Sequence, residues 1–295
     1  MSRRLLVAIG LLALVLVLVA VAVLVRARST TPEVTPTPSP TTTNPVGTPL
    51  QATMLVAVRD ENSLITDAVV HGAVAKPNTV PVGSWLSMQP GLAIAVNNLG
   101  SVSLSQRGPF APADVARDVS NELGFDVDGA FVLDRLAFAA LVDSVGGVTV
   151  NSPVPIVAVD ADGKTTVLVK AGKRKLYGPA AAQYVIALNP GEEQEGRMAR
   201  FNDVWTQVLL KLPGNTDRVR SIVGSLGSLS RVSLSPEEVS EALLNAQTSL
   251  TARTMTMAVP AAAVAGVGAT AIYTVIPVKT QPIIVGLFEP SVLVP

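Results

Sequence analysis

The run Tyr184–Arg200, YVIALNPGEEQEGRMAR, ends on Arg197 and Arg200, three positions apart at the head of an amphipathic stretch. That spacing sets both guanidinium groups on one face of a helix near its N-terminus, where the backbone N–H groups further favour an anion. Guanidinium is planar and grips an anionic group bidentately, so the pair suits an anion. A second group of cations, Lys173-Arg174-Lys175, sits beside a glycine. It reads as a solvated turn, with contact to phosphate groups or anionic lipid as the functional alternative.

Other chemistries find less support. His71 is the sole histidine and lies in an apolar run, which suits a structural role. With no cysteine, no histidine pair and no His-x-Glu, a zinc site has no basis. Ser101, Ser103 and Ser105 alternate in a polar run with no suitably spaced His–Asp partner, which argues against a hydrolase triad. Gly224–Ser228 (GSLGS) reads as a turn, because no Lys-Ser/Thr follows it as a phosphate loop requires. Trp85 and Trp205 read as core anchors, with sugar-stacking platforms as the alternative.

The elements that must position the arginines are legible along the chain. Short apolar runs at Ala52–Val58, Asp67–Ala75, Asn78–Met88 and Leu92–Val96 predict strands. Pro112–Leu123 predicts a helix opened by proline, and Leu133–Val145 another, stopped by Gly146-Gly147. A strand is expected between them in FDVDGAFV. Val148–Ile156 and Thr165–Val169 predict strands split by the turn Asp160–Gly163. Gly178–Val185 should start a helix interrupted at Asn189-Pro190-Gly191, and Arg197–Leu212 should form a long amphipathic one. Ser235-Pro236-Glu237-Glu238 is a helix N-terminus, and Met255–Val259, Tyr273–Val278 and Ile283–Leu287 suggest late β or extended segments. Interleaved strands and helices imply an α/β domain, a mixed central sheet flanked by helices.

The 295 residues carry 22 basic and 22 acidic side chains, so no net field draws the chain to nucleic acid. Leu5–Val25 is an unbroken apolar stretch, long enough to cross a hydrocarbon core of roughly 30 Å. Arg3 and Arg4 precede it and Arg26 and Arg28 follow, so the positive-inside rule orients it poorly; the short tail favours an inside N-terminus with the bulk exported. A cleaved signal peptide ending at Ala20-Val21-Ala22 is the competing reading. Ser29–Pro49 is rich in Thr and Pro and reads as a semi-rigid stalk. The expected organisation is therefore residues 1–28 as tail and transmembrane helix, 29–50 as stalk and 51–295 as an extracytoplasmic domain.

LVDSVGGVTV (Leu141–Val150), VKAGKRKLYGPAAAQYV (Val169–Val185) and GRMARFNDVWTQVL, in that order, resemble the LytR–CpsA–Psr family. The resemblance runs from about Thr53 to Leu287. It implies a membrane-anchored extracytoplasmic domain that transfers a polyprenyl-pyrophosphate-linked glycopolymer to peptidoglycan. The lipid would lie in an apolar tunnel, with the pyrophosphate among arginines and a metal ion such as Mg²⁺. Arg197 and Arg200 match the arginines of the family's Gly-Arg-x-x-Arg. Asp67 matches the aspartate of Arg-Ser-Asp-Thr, as a metal or acceptor-hydroxyl contact. Arg59 falls where the early Asp-x-Arg motif has an aspartate, with Asp60 one residue away as a substitute metal ligand and Arg59 as a compensating ligand-binding cation.

Departures accompany these matches. Ile186 and Leu188 stand where the family has two arginines, Gln194 where an aspartate is common, and Pro81-Val82-Gly83 aligns with Pro-Arg-Asp. The expectation is a family member of envelope assembly that binds polyprenyl (pyro)phosphate lipid or wall glycopolymer with weakened or no catalysis. An active phosphotransferase, and a ligand-free scaffold for active family paralogues, are the alternatives.

Overall fold

The computed structural model describes residues 52–74, 79–96, 100–160 and 162–288. The apolar stretch Leu5–Val25 and the Pro/Thr stalk lie outside the described residues.

The frame is a six-stranded mixed sheet. Strand β1 (Ala52–Arg59) lies at its centre, antiparallel to β2 (Ile65–Val74), which in turn pairs with β3 (Val82–Met88). A side hairpin follows, β4 (Ala93–Val96) and β5 (Gly100–Ser103). After helix α1 (Pro112–Leu123), β6 (Gly129–Asp134) runs parallel to β1, and α2 (Arg135–Ser144) returns along the sheet. Gly146 and Gly147, both at positive φ, end that return as the sequence implies.

Strands β7 (Val148–Ser152), β8 (Ile156–Val159), β9 (Thr165–Val169) and β10 (Gly172–Leu176) form two small ribbons, β7 with β10 and β8 with β9. Helices α3 (Gly178–Ile186), α4 (Gln194–Lys211) and α5 (Thr216–Ser225) come next. Edge strand β11 (Ser230–Val232) leads into α6 (Pro236–Ala252), and β12 (Met255–Ala258) pairs parallel with β3. The described chain ends with the hairpin β13 (Ala262–Ala265)–β14 (Ile272–Val275) and α7 (Pro277–Phe288).

Strand alternation divides the core into two. Met54, Val56 and Val58 of β1 face α2 to α6, where Phe138, Phe201, Trp205 and Leu243 are buried. Leu55 and Ala57 face the opposite side, against Val115 and Val119 of α1 and Ile284 and Phe288 of α7.

Three expectations are corrected. Ile283–Leu287 belongs to a helix: buried Thr280, Ile284, Leu287 and Phe288 fall at helical spacing, and Phe288 stacks on Phe125 at 4.3 Å. Lys173-Arg174-Lys175 lies in strand β10, because its register against β7 carries backbone pairing through the triplet. Gly224 and Ser225 close a helix begun under the Asn215 cap, whose side chain accepts from the Arg218 N–H.

Candidate functional site

Antiparallel pairing sets Asp67 of β2 opposite Val58 of β1. Alternation then places Asp67 on the same sheet face as Val69 and His71, the face that α4 covers. Asp67 is fully buried, and neither carboxylate oxygen has a hydrogen-bond partner. Burial pushes its pKa up to about 7, against the opposing pull of Arg197, Arg200 and the Thr66 hydroxyl.

Arg197 and Arg200 descend from the first turns of α4 on one face, as their spacing implies, and both are buried. The Nε of Arg197 stands 3.7 Å from Asp67 Oδ2, an ion pair beyond hydrogen-bonding distance, and Nη1 donates to the Ile186 carbonyl at 3.4 Å. Arg200 is more fully committed. Its Nε donates to the Tyr184 carbonyl at 2.8 Å, Nη2 to the Ala187 carbonyl, and Nη1 pairs with Glu192. Its guanidinium also lies 5.5 Å from the Tyr184 ring centroid. Nothing in the composition around Glu192 singled it out; its signal was its place in the Asn189–Glu193 turn, ahead of the arginines on the following helix.

The remaining site residues have other partners, although Asp60 shares a cavity with Arg197. Arg59 pairs with Asp134 at the end of β6 and donates to the Gly108 carbonyl at 3.1 Å. Asp60 Oδ1 accepts from the N–H groups of Asn62 and Leu64 at 2.9 and 2.8 Å, which shapes the β1–β2 turn. The structure therefore brings Asp67, Arg197 and Arg200 together, and holds Arg59 elsewhere.

A cavity of about 690 Å³ opens beside Arg197, lined among others by Asp60, Thr66, Gln194, Gly91 and Thr270. Register shows which segment of β3 meets Asp67. Pro81-Val82-Gly83 lies at the far end, since Val82 pairs with Val74 and Gly83 with Ala73. The ladder ends with Met88 opposite Ala68, and Gln89 follows at the end of β3 nearer Asp67. Gln89 is buried with Oε1 unpartnered, and Pro90 and Gly91 line the cavity.

Gln194 explains its own departure from the family pattern. Its Nε2 lies within hydrogen-bonding reach of the carbonyls of Gly268, Ala269 and Ala271, and its Oε1 accepts from the Gly91 N–H at 2.8 Å. A carboxylate could not donate to those carbonyls. Glu193 accepts from the Gly268 N–H, and Tyr273 donates its hydroxyl to Glu195 at 2.9 Å, so three successive side chains fasten the C-terminal segment to the head of α4. Gly91 permits the close approach, because a Cβ there would meet the Ala271 oxygen at 2.0 Å. We expect Gln194→Asp to lower unfolding free energy by about 2–4 kcal/mol, through lost donors and a buried charge against carbonyls. Urea denaturation measures this, and a loss below about 0.5 kcal/mol would show that Gln194 does not hold this wall.

Among the described residues no three His, Asp or Glu side chains gather as a metal site. Asp67 offers a single carboxylate that accepts no hydrogen bond, but it is fully buried, ion-paired with Arg197 and outside the cavity lining. An ion there would need Asp67 to turn toward the cavity, with water and substrate phosphate as its other ligands.

Comparison with curated protein sequences gives no match. Solved structures with similar folds include Bacillus subtilis TagV, with TM-score 0.65 and 13% identity over 84% of this chain and 100% of that one. The LytR-Csp2A-Psr enzyme from Actinomyces oris gives 0.61 and 17%, covering 81% of this chain and 90% of that one. TagT bound to LI-WTA gives 0.60 and 18%, covering 82% and 90%. These likenesses establish the fold. The model of the LytR_cpsA_psr family matches residues 104–258, more than half of the sequence, and the chain belongs to that family.

Proposed function

We propose that this protein acts in cell-envelope assembly outside the membrane, binding a polyprenyl (pyro)phosphate lipid or wall glycopolymer beside Arg197, with weakened or no catalysis. Leu5–Val25 is the proposed anchor; among the described residues no helix is long and apolar enough to cross a membrane. A structure of TagT holds LI-WTA, which supports a glycopolymer as the ligand class.

The observation that carries the weakened chemistry is the engagement of both arginines within the protein. Arg200 is committed to Glu192 and two carbonyls, and Arg197 faces Asp67. Ile186 and Leu188, half-buried, add no charge. A pyrophosphate entering the cavity meets one guanidinium able to turn toward it. One preorganised donor is worth roughly 2.7–4 kcal/mol in a transition state, so each missing partner removes about two to three orders of magnitude in rate. Mg²⁺ brought with the phosphates and held by Asp67 would offset part of that charge.

An active phosphotransferase is the second reading, favoured by Asp67 itself. A carboxyl with pKa about 7 is matched to accepting a proton from an attacking sugar hydroxyl at neutral pH. The deciding experiment is release of polyprenyl phosphate from a polyprenyl-pyrophosphate sugar by the full chain in non-ionic detergent, with and without Mg²⁺. We expect any parent turnover to exceed that of Arg197→Ala by no more than about 100- to 1000-fold, because one donor's contribution is all the site retains. Mg²⁺-dependent turnover more than about 1000-fold above the variant would establish the active reading instead.

A further inference from the structure

The geometry points to a second anion site, formed by Lys170, Lys173, Arg174 and Lys175 on the β9–β10 edge, that takes the phosphates of an anionic polymer. These cations surround a shallow pocket of about 410 Å³ with a floor of Leu168, Val169, Leu176 and Ala180. No carboxylate lines it, and among the described residues none of the four cations forms an ion pair. The nearest acids in sequence, Asp160 and Asp162, lie at the opposite end of β9 from Lys170. In a chain of zero net charge this is local crowding of like charge that only an external anion relieves.

Arg174 gives the pocket a fixed member. Its Nε donates to the carbonyls of Lys170 and Ala171 at 2.9 and 3.1 Å, and Nη2 donates to Ala171 at 3.0 Å, which locks the turn between the strands. Lys175 lies over the exposed Tyr177 ring at 5.0 Å, an added surface for a sugar. Edge-strand protection accounts for lysines on β10 but not for their gathering round a concavity with a locked guanidinium.

Concavity favours a flexible phosphate-bearing chain over a planar bilayer. A run of buried contacts links the two regions: Gly172 of β10 pairs with Ser152 of β7, Ser152 adjoins the Tyr184 phenol, and the Tyr184 backbone carbonyl accepts from Arg200. A polymer engaged near Arg197 can trail its phosphates along this edge. Only that trailing role rests on the proposed function; phosphate binding by the pocket does not.

The test is titration of the full chain in non-ionic detergent with inorganic polyphosphate, alongside inorganic phosphate and mixed micelles containing phosphatidylglycerol. Lys170→Ala/Lys173→Ala/Lys175→Ala removes three exposed charges and leaves Arg174 to hold the turn; unchanged circular dichroism and melting verify its fold. We expect polyphosphate affinity to fall at least 10-fold in the triple variant. The dependence of log K on log salt should become shallower by about two to three, with inorganic phosphate competing at millimolar concentrations. Polyphosphate affinity within 2-fold of the parent overturns the proposal, as does lysine-dependent binding seen only on phosphatidylglycerol micelles. Loss of polyphosphate binding in Arg197→Ala, with none in the triple variant, overturns it too and leaves the reading of the first site standing.

Discussion

Asp67→Asn is expected to stabilise the protein by about 4 kcal/mol at pH 7 to 8 and to change nothing near pH 4. The sign follows from proton linkage. Burial holds the folded Asp67 pKa near 7, above its ordinary 3.8, so the folded state binds the proton more tightly than the unfolded chain. The group's contribution is fully favourable below about pH 4 and is lost as pH rises through 7. At about 1.36 kcal/mol per tenfold change in proton affinity, the separation amounts to roughly 4 kcal/mol. Asparagine mimics the protonated side chain in shape and charge. Arg197 does not reverse the argument, because its attraction is already contained in a pKa that remains raised. The measurement is urea denaturation of parent and variant from pH 4 to 8, read as their difference. A variant less stable than the parent at pH 8, or a difference independent of pH, would show that the carboxylate is paid for by its partners.

His71 is the reason to read the difference. It is buried between Trp85 and Trp205, and its Nε2 accepts from the Trp205 indole at 2.7 Å, so the ring proton sits on the unpartnered Nδ1. Burial pulls its pKa from 6.5 to about 3. That histidine contributes fully above pH 6.5 and loses its contribution as pH falls toward 3, the opposite slope to Asp67. The two nearly cancel between pH 4 and 6.5, and the parent's own profile conceals both. An ionisable group retained at a cost of several kcal/mol has the character of a functional residue.

The sequence carried the frame well because each main element had a local cause. Pro112 and Pro236 open helices, the Ser235–Glu238 capping box is formed, and α4 follows the stripe of Phe201, Val204, Trp205 and Val208. The late segment misled because Ile283, Ile284 and Val285 have the composition of a strand; packing against Phe125 on the same face of the sheet suits it to a helix. At the site, resemblance to the family's motifs singled out Asp67, Arg197 and Arg200, which the fold unites. What type could not show was allegiance. Arg59 resembles a ligand-binding cation until Asp134, 75 residues away in sequence, is seen beside it. Gln194 resembles a lost acid until its carbonyl partners at 268–271 are known. Partnerships across such separations are set by strand register and by docking of the C-terminal segment, and no local pattern encodes them.

Arg200→Ala is expected to cost about 3–5 kcal/mol of stability, and this separates two roles that residue type leaves merged. A guanidinium poised for an incoming phosphate has donors to spare, and its removal abolishes binding while the fold is spared. The donors of Arg200 are instead distributed over the Tyr184 and Ala187 carbonyls and Glu192, tying the connection from α3 to α4 against the helix that bears it. Removal strands a partly buried carboxylate and two carbonyls at once. Arg200→Lys keeps the charge but not the fork, so it should recover less than half of the loss. Adding Glu192→Gln to Arg200→Ala should recover about 1–2 kcal/mol by relieving the unpaired acid, a coupling that a double-mutant cycle isolates. Chemical denaturation at pH 7 reads the parent, Arg200→Ala, Arg200→Lys, Glu192→Gln and the double variant. A loss below about 1 kcal/mol for Arg200→Ala would return this arginine to the ligand. At the expected loss, Arg200 is the strut of the site and Arg197 alone is left to meet a phosphate.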